Sequence, residues 1–209
     1  MAELPANAFD TTAILDGIRR WVEIESPTEA PDHVNRLGDL IANGYAGLPA
    51  QVERIAGRDG CGDHLVVRSA WGQDEPGILV LSHHDTVHPL GFIERLPFRI
   101  DGDRAFGPGI YDMKGGAYLA YHAFRQICAA SARPPLGITQ LYVSDEEIGS
   151  PTSRALIEAE AAAAKAVEFD QSKVKDYLAG CANSKFPFVC DYAYRTLLKT
   201  PSLGSTEEE

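Results

Sequence analysis

The chain has 209 residues, of which 44% are apolar and 23% charged, and its formal net charge is −11. This is the composition of a soluble globular protein of one large or two small domains, and its acidity argues against nucleic acid and anionic membrane as partners. No apolar stretch approaches the roughly 18 residues of a membrane span, the first residues show no basic or apolar leader, and the four cysteines, Cys61, Cys128, Cys181 and Cys190, have no CxxC spacing, so a cytoplasmic protein with reduced thiols is expected.

In chain order, helical spacing of Ile14, Ile18, Trp21 and Val22 predicts a helix over 11–24, with Thr11 or Thr12 as its cap. A second amphipathic helix is predicted over 32–48, with Val34, Leu37, Leu40 and Ile41 facing inward. Residues 51–55 and 64–71 read as strands. Gly77-Ile78-Leu79-Val80-Leu81 is a continuous apolar run, expected of a strand buried on both faces. Gly102 and Gly107-Pro108-Gly109 punctuate a loop. A helix is predicted over 113–130, a buried strand over 138–143, and an Ala- and Glu-rich helix over 151–166, with Ser150 near its cap and Pro151 in its first turn. Strands alternating with helices predict an α/β layered sheet, in which functional groups gather at the carboxyl ends of strands.

Three polar clusters fall at such positions. The first is Ser82-His83-His84-Asp85-Thr86-Val87. One imidazole nitrogen there can hold a metal while the carboxylate two residues on accepts the other N–H, fixing the tautomer. The second is Asp112, between a Gly-rich loop and a helix, where a carboxylate can bridge two cations. The third is Asp145-Glu146-Glu147. Adjacent carboxylates repel unless a cation holds them, and one can ligate while the other acts as general base. Taken singly, a His-rich surface turn explains the first cluster equally simply, and a plain helix cap and an acidic capping turn are the simpler readings of the second and third.

Taken together, the motifs His83-His84-Asp85-Thr86-Val87, Asp112-Met113-Lys114-Gly115-Gly116 and Asp145-Glu146-Glu147-Ile148-Gly149-Ser150 resemble those of a metallopeptidase family. It is the di-zinc aminoacylase and carboxypeptidase family of glutamate carboxypeptidase, acetylornithine deacetylase and succinyl-diaminopimelate desuccinylase. The resemblance covers about residues 10–167, the N-terminal part of a layered α/β/α catalytic domain with a mostly parallel mixed sheet. It implies metal ligands His83, Asp112 (bridging) and Glu147, with Glu146 as general base and Asp85 orienting His83. His84 and His88 match no ligand position. The implied cofactor is zinc, two ions per site, with cobalt and manganese as alternatives. The implied reaction is hydrolysis of an amide bond that releases an amino acid, from a small peptide or an N-acyl amino acid. A homodimer is one assembly the family implies.

The same resemblance marks where the sequence departs from the family. Its members insert a lid or dimerisation domain, and their catalytic domain ends with a further metal-binding His. No His follows His122 here. A further carboxylate ligand is expected at about Gln171, and Asp170 lies one residue short, on the opposite face of a strand. Residues 168–209 read as a divergent tail, with short helices over 176–182 and 191–198 and a polar end over 202–209. The competing reading of the whole is therefore a non-catalytic fragment that binds metal weakly or not at all. Its sheet would expose an apolar edge.

Overall fold

The computed structural model describes residues 10–74, 76–130 and 134–164. Helices α1 (Thr11–Val22) and α2 (Pro31–Gly44) precede strands β1 (Ala50–Ile55), β2 (His64–Ser69) and β3 (Ile78–His83). A hairpin of β4 (Arg99–Asp101) and β5 (Arg104–Phe106) follows, then α3 (Gly115–Ala129), β6 (Ile138–Val143) and α4 (Arg154–Ala163). The main sheet has the order β1-β2-β6-β3. Its β1/β2 and β2/β6 ladders are antiparallel, and β3/β6 is parallel, with His83 opposite Val143. The sheet is mixed, as expected, but among the described residues two of its three ladders are antiparallel rather than the parallel majority.

Alternation along β2 and β6 separates two apolar layers. Leu65, Val67, Ile138 and Tyr142 face α1, α2 and α3, meeting Ile18, Trp21, Leu37, Ile41, Tyr121 and Phe124. Val66, Leu141 and Val143 face the other way, toward Leu156 and Ile157 of α4. The result is the α/β/α layering anticipated from the sequence. The first layer is rich in aromatic edges: Trp21 meets Tyr118 at 5.2 Å and Tyr45 meets Phe124 at 5.5 Å between ring centroids, geometries that the ring quadrupoles favour. Its buried polar atoms satisfy one another. Gln140 accepts from the hydroxyls of Tyr45 and Tyr142 and donates to Ala120 O at 2.8 Å.

Several predicted boundaries move for local reasons. Asp10, not Thr11 or Thr12, caps α1, because its carboxylate reaches Thr12 N at 2.9 Å and Ala13 N at 3.1 Å. Helix α2 ends at Gly44 rather than 48. The strand predicted to be buried on both faces is only half-buried: Ile78 is 47% exposed, since among the described residues β3 pairs only with β6. Helix α3 starts at Gly115, because Asp112 and Met113 hold non-helical backbone angles in the preceding turn. Residues 151–153 form a turn rather than the start of α4, drawn onto Asp145 as described below. The β4–β5 hairpin was not anticipated. Among the described residues no helix is long and apolar enough to cross a membrane.

Candidate metal centre

The parallel ladder sends β3 and β6 out of the sheet side by side, so their carboxyl ends deliver the first and third clusters to one place. The turn Ile110–Lys114, entered through Gly109 at φ +64°, brings the second. A side chain at Gly109 would need a left-handed backbone and would also collide with Thr86 Cγ2. The Asp112–Met113 peptide bond is cis.

His83, Asp112 and Glu147 converge, each offering a ligand atom within 4.8 Å of the others. His83 is buried, with Nε2 3.0 Å from Asp112 Oδ1 and 3.8 Å from Glu146 Oε2. Its Nδ1 faces Asp85, 3.1 Å from the backbone carbonyl and 3.3 Å from Oδ1. Nδ1–H on Asp85 leaves Nε2 free to ligate, as the motif required. The tautomer is set by the Asp85 backbone as well as by its carboxylate, which sequence reasoning did not foresee.

The electrostatics are those of a cation site. Burial alone would lower the His83 pKa, yet the carboxylates of Asp112, Asp85 and Glu146 raise it to about 10. Burial, together with the charges of Asp112, Asp85 and Glu146, pushes Glu147 up to about 7, against the pull of His83. Glu146 is raised for the same reasons. Asp112 is held below the usual carboxylate range by its hydrogen bond to His83. Four carboxylates around one imidazole favour any bound positive charge, a proton or a metal ion. Hard oxygen donors with one imidazole suit zinc, manganese or cobalt.

Two buried residues matter here in ways the motifs did not reveal. Asp145 turns its carboxylate into the fold rather than joining the His83, Asp112 and Glu147 group. Its Oδ2 accepts from Thr152 N at 2.6 Å, Thr152 Oγ1 at 2.7 Å and Ser153 N at 3.1 Å, and its Oδ1 from Ser153 Oγ at 2.5 Å. Those bonds hold it ionised despite burial and pin the turn that aims Glu146 and Glu147. His84 is almost fully buried, and among the described residues neither of its ring nitrogens has a hydrogen-bond partner. Burial lowers its pKa to about 4, so it stays neutral. His88 stacks on Phe92 at 4.7 Å, apart from any ligand role. Gln171, Asp170, the tail helices and the proposed boundary at 167 lie outside the described residues.

The sequence model of peptidase family M20/M25/M40 matches residues 79–191, a span that holds all three clusters and runs on past residue 167. The chain belongs to this family. Its lineage is therefore that of the metallopeptidases, as the motifs implied. Carboxypeptidase G2 of Pseudomonas sp. (strain RS-16) is 32% identical over 149 residues, covering 71% of this chain and 36% of that protein. Human carnosine dipeptidase 1 shares the fold, with a TM-score of 0.62 at 18% identity over 76% of this chain and 39% of that one. Dug1p of Saccharomyces cerevisiae does so with 0.61 at 15% identity, over 74% and 37%. The chain thus spans little more than a third of the length of these relatives.

Proposed function

We propose that this chain carries the metal-holding and proton-transferring part of a centre that hydrolyses an amide bond and releases an amino acid. The convergence of His83, Asp112 and Glu147, with Glu146 beside His83, carries the reading. The similarity to carboxypeptidase G2 supports a small peptide or N-acyl amino acid as substrate.

His83 and Glu147 would each hold one of two zinc ions, and Asp112 would bridge them. Ions so placed acidify water and polarise the scissile carbonyl. Glu146 takes a proton from the attacking water and hands it to the leaving amine. Burial raises its pKa, a shift in the direction that makes a carboxylate a better proton acceptor and brings it closer to the working pH at which acceptance and return are balanced. Asp85 keeps His83 Nδ1 protonated and Nε2 aimed at the acidic cluster.

Elemental analysis of desalted protein, together with hydrolysis of N-acyl amino acids and dipeptides, tests this. About two ions per chain are expected. Glu146→Gln should cut hydrolysis by roughly 10²–10⁴-fold with metal content unchanged. Hydrolysis that survives the substitution would remove Glu146 from its role. A chain that takes up no metal would favour the non-catalytic reading. Sedimentation tests the homodimer, the proposed assembly.

A further inference from the structure

The segment 24–28, between α1 and α2, lies against the loops of the first two clusters and belongs to none of the three motifs. Ser26 and Thr28 are buried. Ser26 Oγ donates to His84 O at 2.7 Å, and Ser26 O accepts from Thr86 N at 2.8 Å. Thr28 N donates to Thr86 O at 3.3 Å, so Pro27 and Thr86 form a short parallel bridge. Both ends of the segment are fastened. Lys114 Nζ, two residues past Asp112, donates to Ile24 O at 2.6 Å. The Glu25 carboxylate accepts from Gly91 N at 2.8 Å and Ile93 N at 2.9 Å.

The functional consequence runs through one hydroxyl. Thr28 Oγ1 donates to Asp85 Oδ2 at 2.8 Å, the shortest hydrogen bond that carboxylate makes among the described residues. The same carboxylate receives the backbone N–H of Glu146 on Oδ1 and of Glu147 on Oδ2, each at 3.3 Å. His83 Nδ1 also lies 3.3 Å from Oδ1. A carboxylate with three long contacts and one short one takes its orientation from the short one, since hydrogen-bond energy falls steeply with length. Turning it about its Cβ–Cγ bond would break the contacts to His83, Glu146 and Glu147 together.

We infer that Thr28 is a positioning residue. Its hydroxyl orients Asp85, and Asp85 in turn fixes both the His83 ring and the turn that presents Glu146 and Glu147. This rests on the metal-centre reading for its purpose, but its geometry can be tested without metal.

The experiment compares Thr28→Val, which keeps the shape and removes the hydroxyl, with Thr28→Ser, which keeps the hydroxyl. The control is Ser69→Ala, a buried hydroxyl on β2 that accepts from Ile138 N at 2.9 Å, away from the centre. In the metal-free chain, amide hydrogen exchange of Glu146 and Glu147 should quicken about tenfold or more in Thr28→Val, beyond any change common to all amides. It should stay within about threefold of wild type in Thr28→Ser, and Ser69→Ala should quicken Ile138 instead. Zinc or cobalt affinity, titrated on the same proteins, should fall roughly 10–100-fold in Thr28→Val and hold in the other two. Unchanged Glu146 and Glu147 exchange in Thr28→Val overturns the inference, as does a Thr28→Ser protein that behaves like the valine variant. Should Thr28→Val not fold, Thr28→Ser decides alone: wild-type exchange and affinity support the hydroxyl, and their loss refutes it. A wild-type chain that binds no metal counts against the function proposed above, while the exchange data still decide the role of Thr28.

Discussion

The helical face of the sheet and the carboxyl ends of its parallel strands β3 and β6 are both densely packed, yet on different principles. On the helical face, Trp21, Tyr118, Tyr121 and Phe124 fill space against β2 and β6, and the few polar atoms close on one another around Gln140. Burial of apolar surface drives that region. At the strand ends, Asp85 and Asp145 are both fully buried carboxylates, and each is tolerated only because hydroxyls and backbone N–H groups surround it. The single strand β6 passes from one regime to the other in a few residues, from Tyr142 in the aromatic layer to Asp145 and Glu146 at the centre. Such an arrangement keeps the costly charges next to rigid packing, so the half-exposed Glu146 and Glu147 stand on a fixed base.

Removing the support at the polar end should have the larger effect. Asp145→Ala would strand Thr152 N, Ser153 N and the Ser153 hydroxyl, all buried. We expect a loss of about 3–5 kcal/mol in denaturant unfolding; a loss below about 1 kcal/mol would mean the turn has other support. The apolar region should be broken by adding rather than removing atoms. A Cβ at Gly17 would collide with Tyr118 Oη and Cζ, so α1 and α3 touch through this glycine. Gly17→Ala should cost about 1–3 kcal/mol in the same measurement. A neutral result would show that Tyr118 swings aside freely and that the aromatic layer is looser than its ring contacts imply.

The sequence made the apolar region legible and the polar one only partly so. Helical periodicity located Ile18, Leu37 and Ile41, because burial follows period directly, and the stretches 64–71 and 138–143 were legible as the strands that carry Leu65 and Tyr142. The motifs exposed His83, Asp112 and Glu147, since a metal centre needs particular side chains next to particular strand ends. What supports those residues was hidden. Thr28 meets Asp85 across 57 positions, and no spacing rule connects a hydroxyl to so distant a carboxylate. Asp145 read as part of an acidic turn, although its neighbours Thr152 and Ser153 take it inward and delay the start of α4. Ile78 read as buried because apolar runs say nothing about which strand lies at an edge.

His64 offers the smallest expected effect and the finest test of how the polar end is wired. It is buried, and its Nδ1 lies 3.2 Å from Ser144 N, which can only donate, so that nitrogen is an acceptor. The proton then sits on Nε2, which donates to Thr152 Oγ1 at 3.1 Å, and Thr152 passes its own proton toward Asp145. A protonated ring would have to turn an N–H toward the Ser144 N–H. Burial accordingly lowers the pKa of His64, as does Arg58, while the charges of Asp145, Asp63 and Asp85 oppose the shift without cancelling it. In the unfolded chain the ring titrates near 6.5. Between that value and the lower native one, the unfolded state binds more protons, so stability rises with pH. The contribution is intact above about 6.5 and is lost as pH falls through the window below, at about 1.4 kcal/mol per unit of depression. Melting temperatures from pH 7.5 to 5 should therefore fall less steeply in His64→Gln than in wild type. The raised pKa of His83 acts with the opposite sign in both proteins and drops out of the difference. Parallel curves for the two proteins would mean that the ring accepts a proton in place, and that the chain from Ser144 through Thr152 to Asp145 bends to admit it.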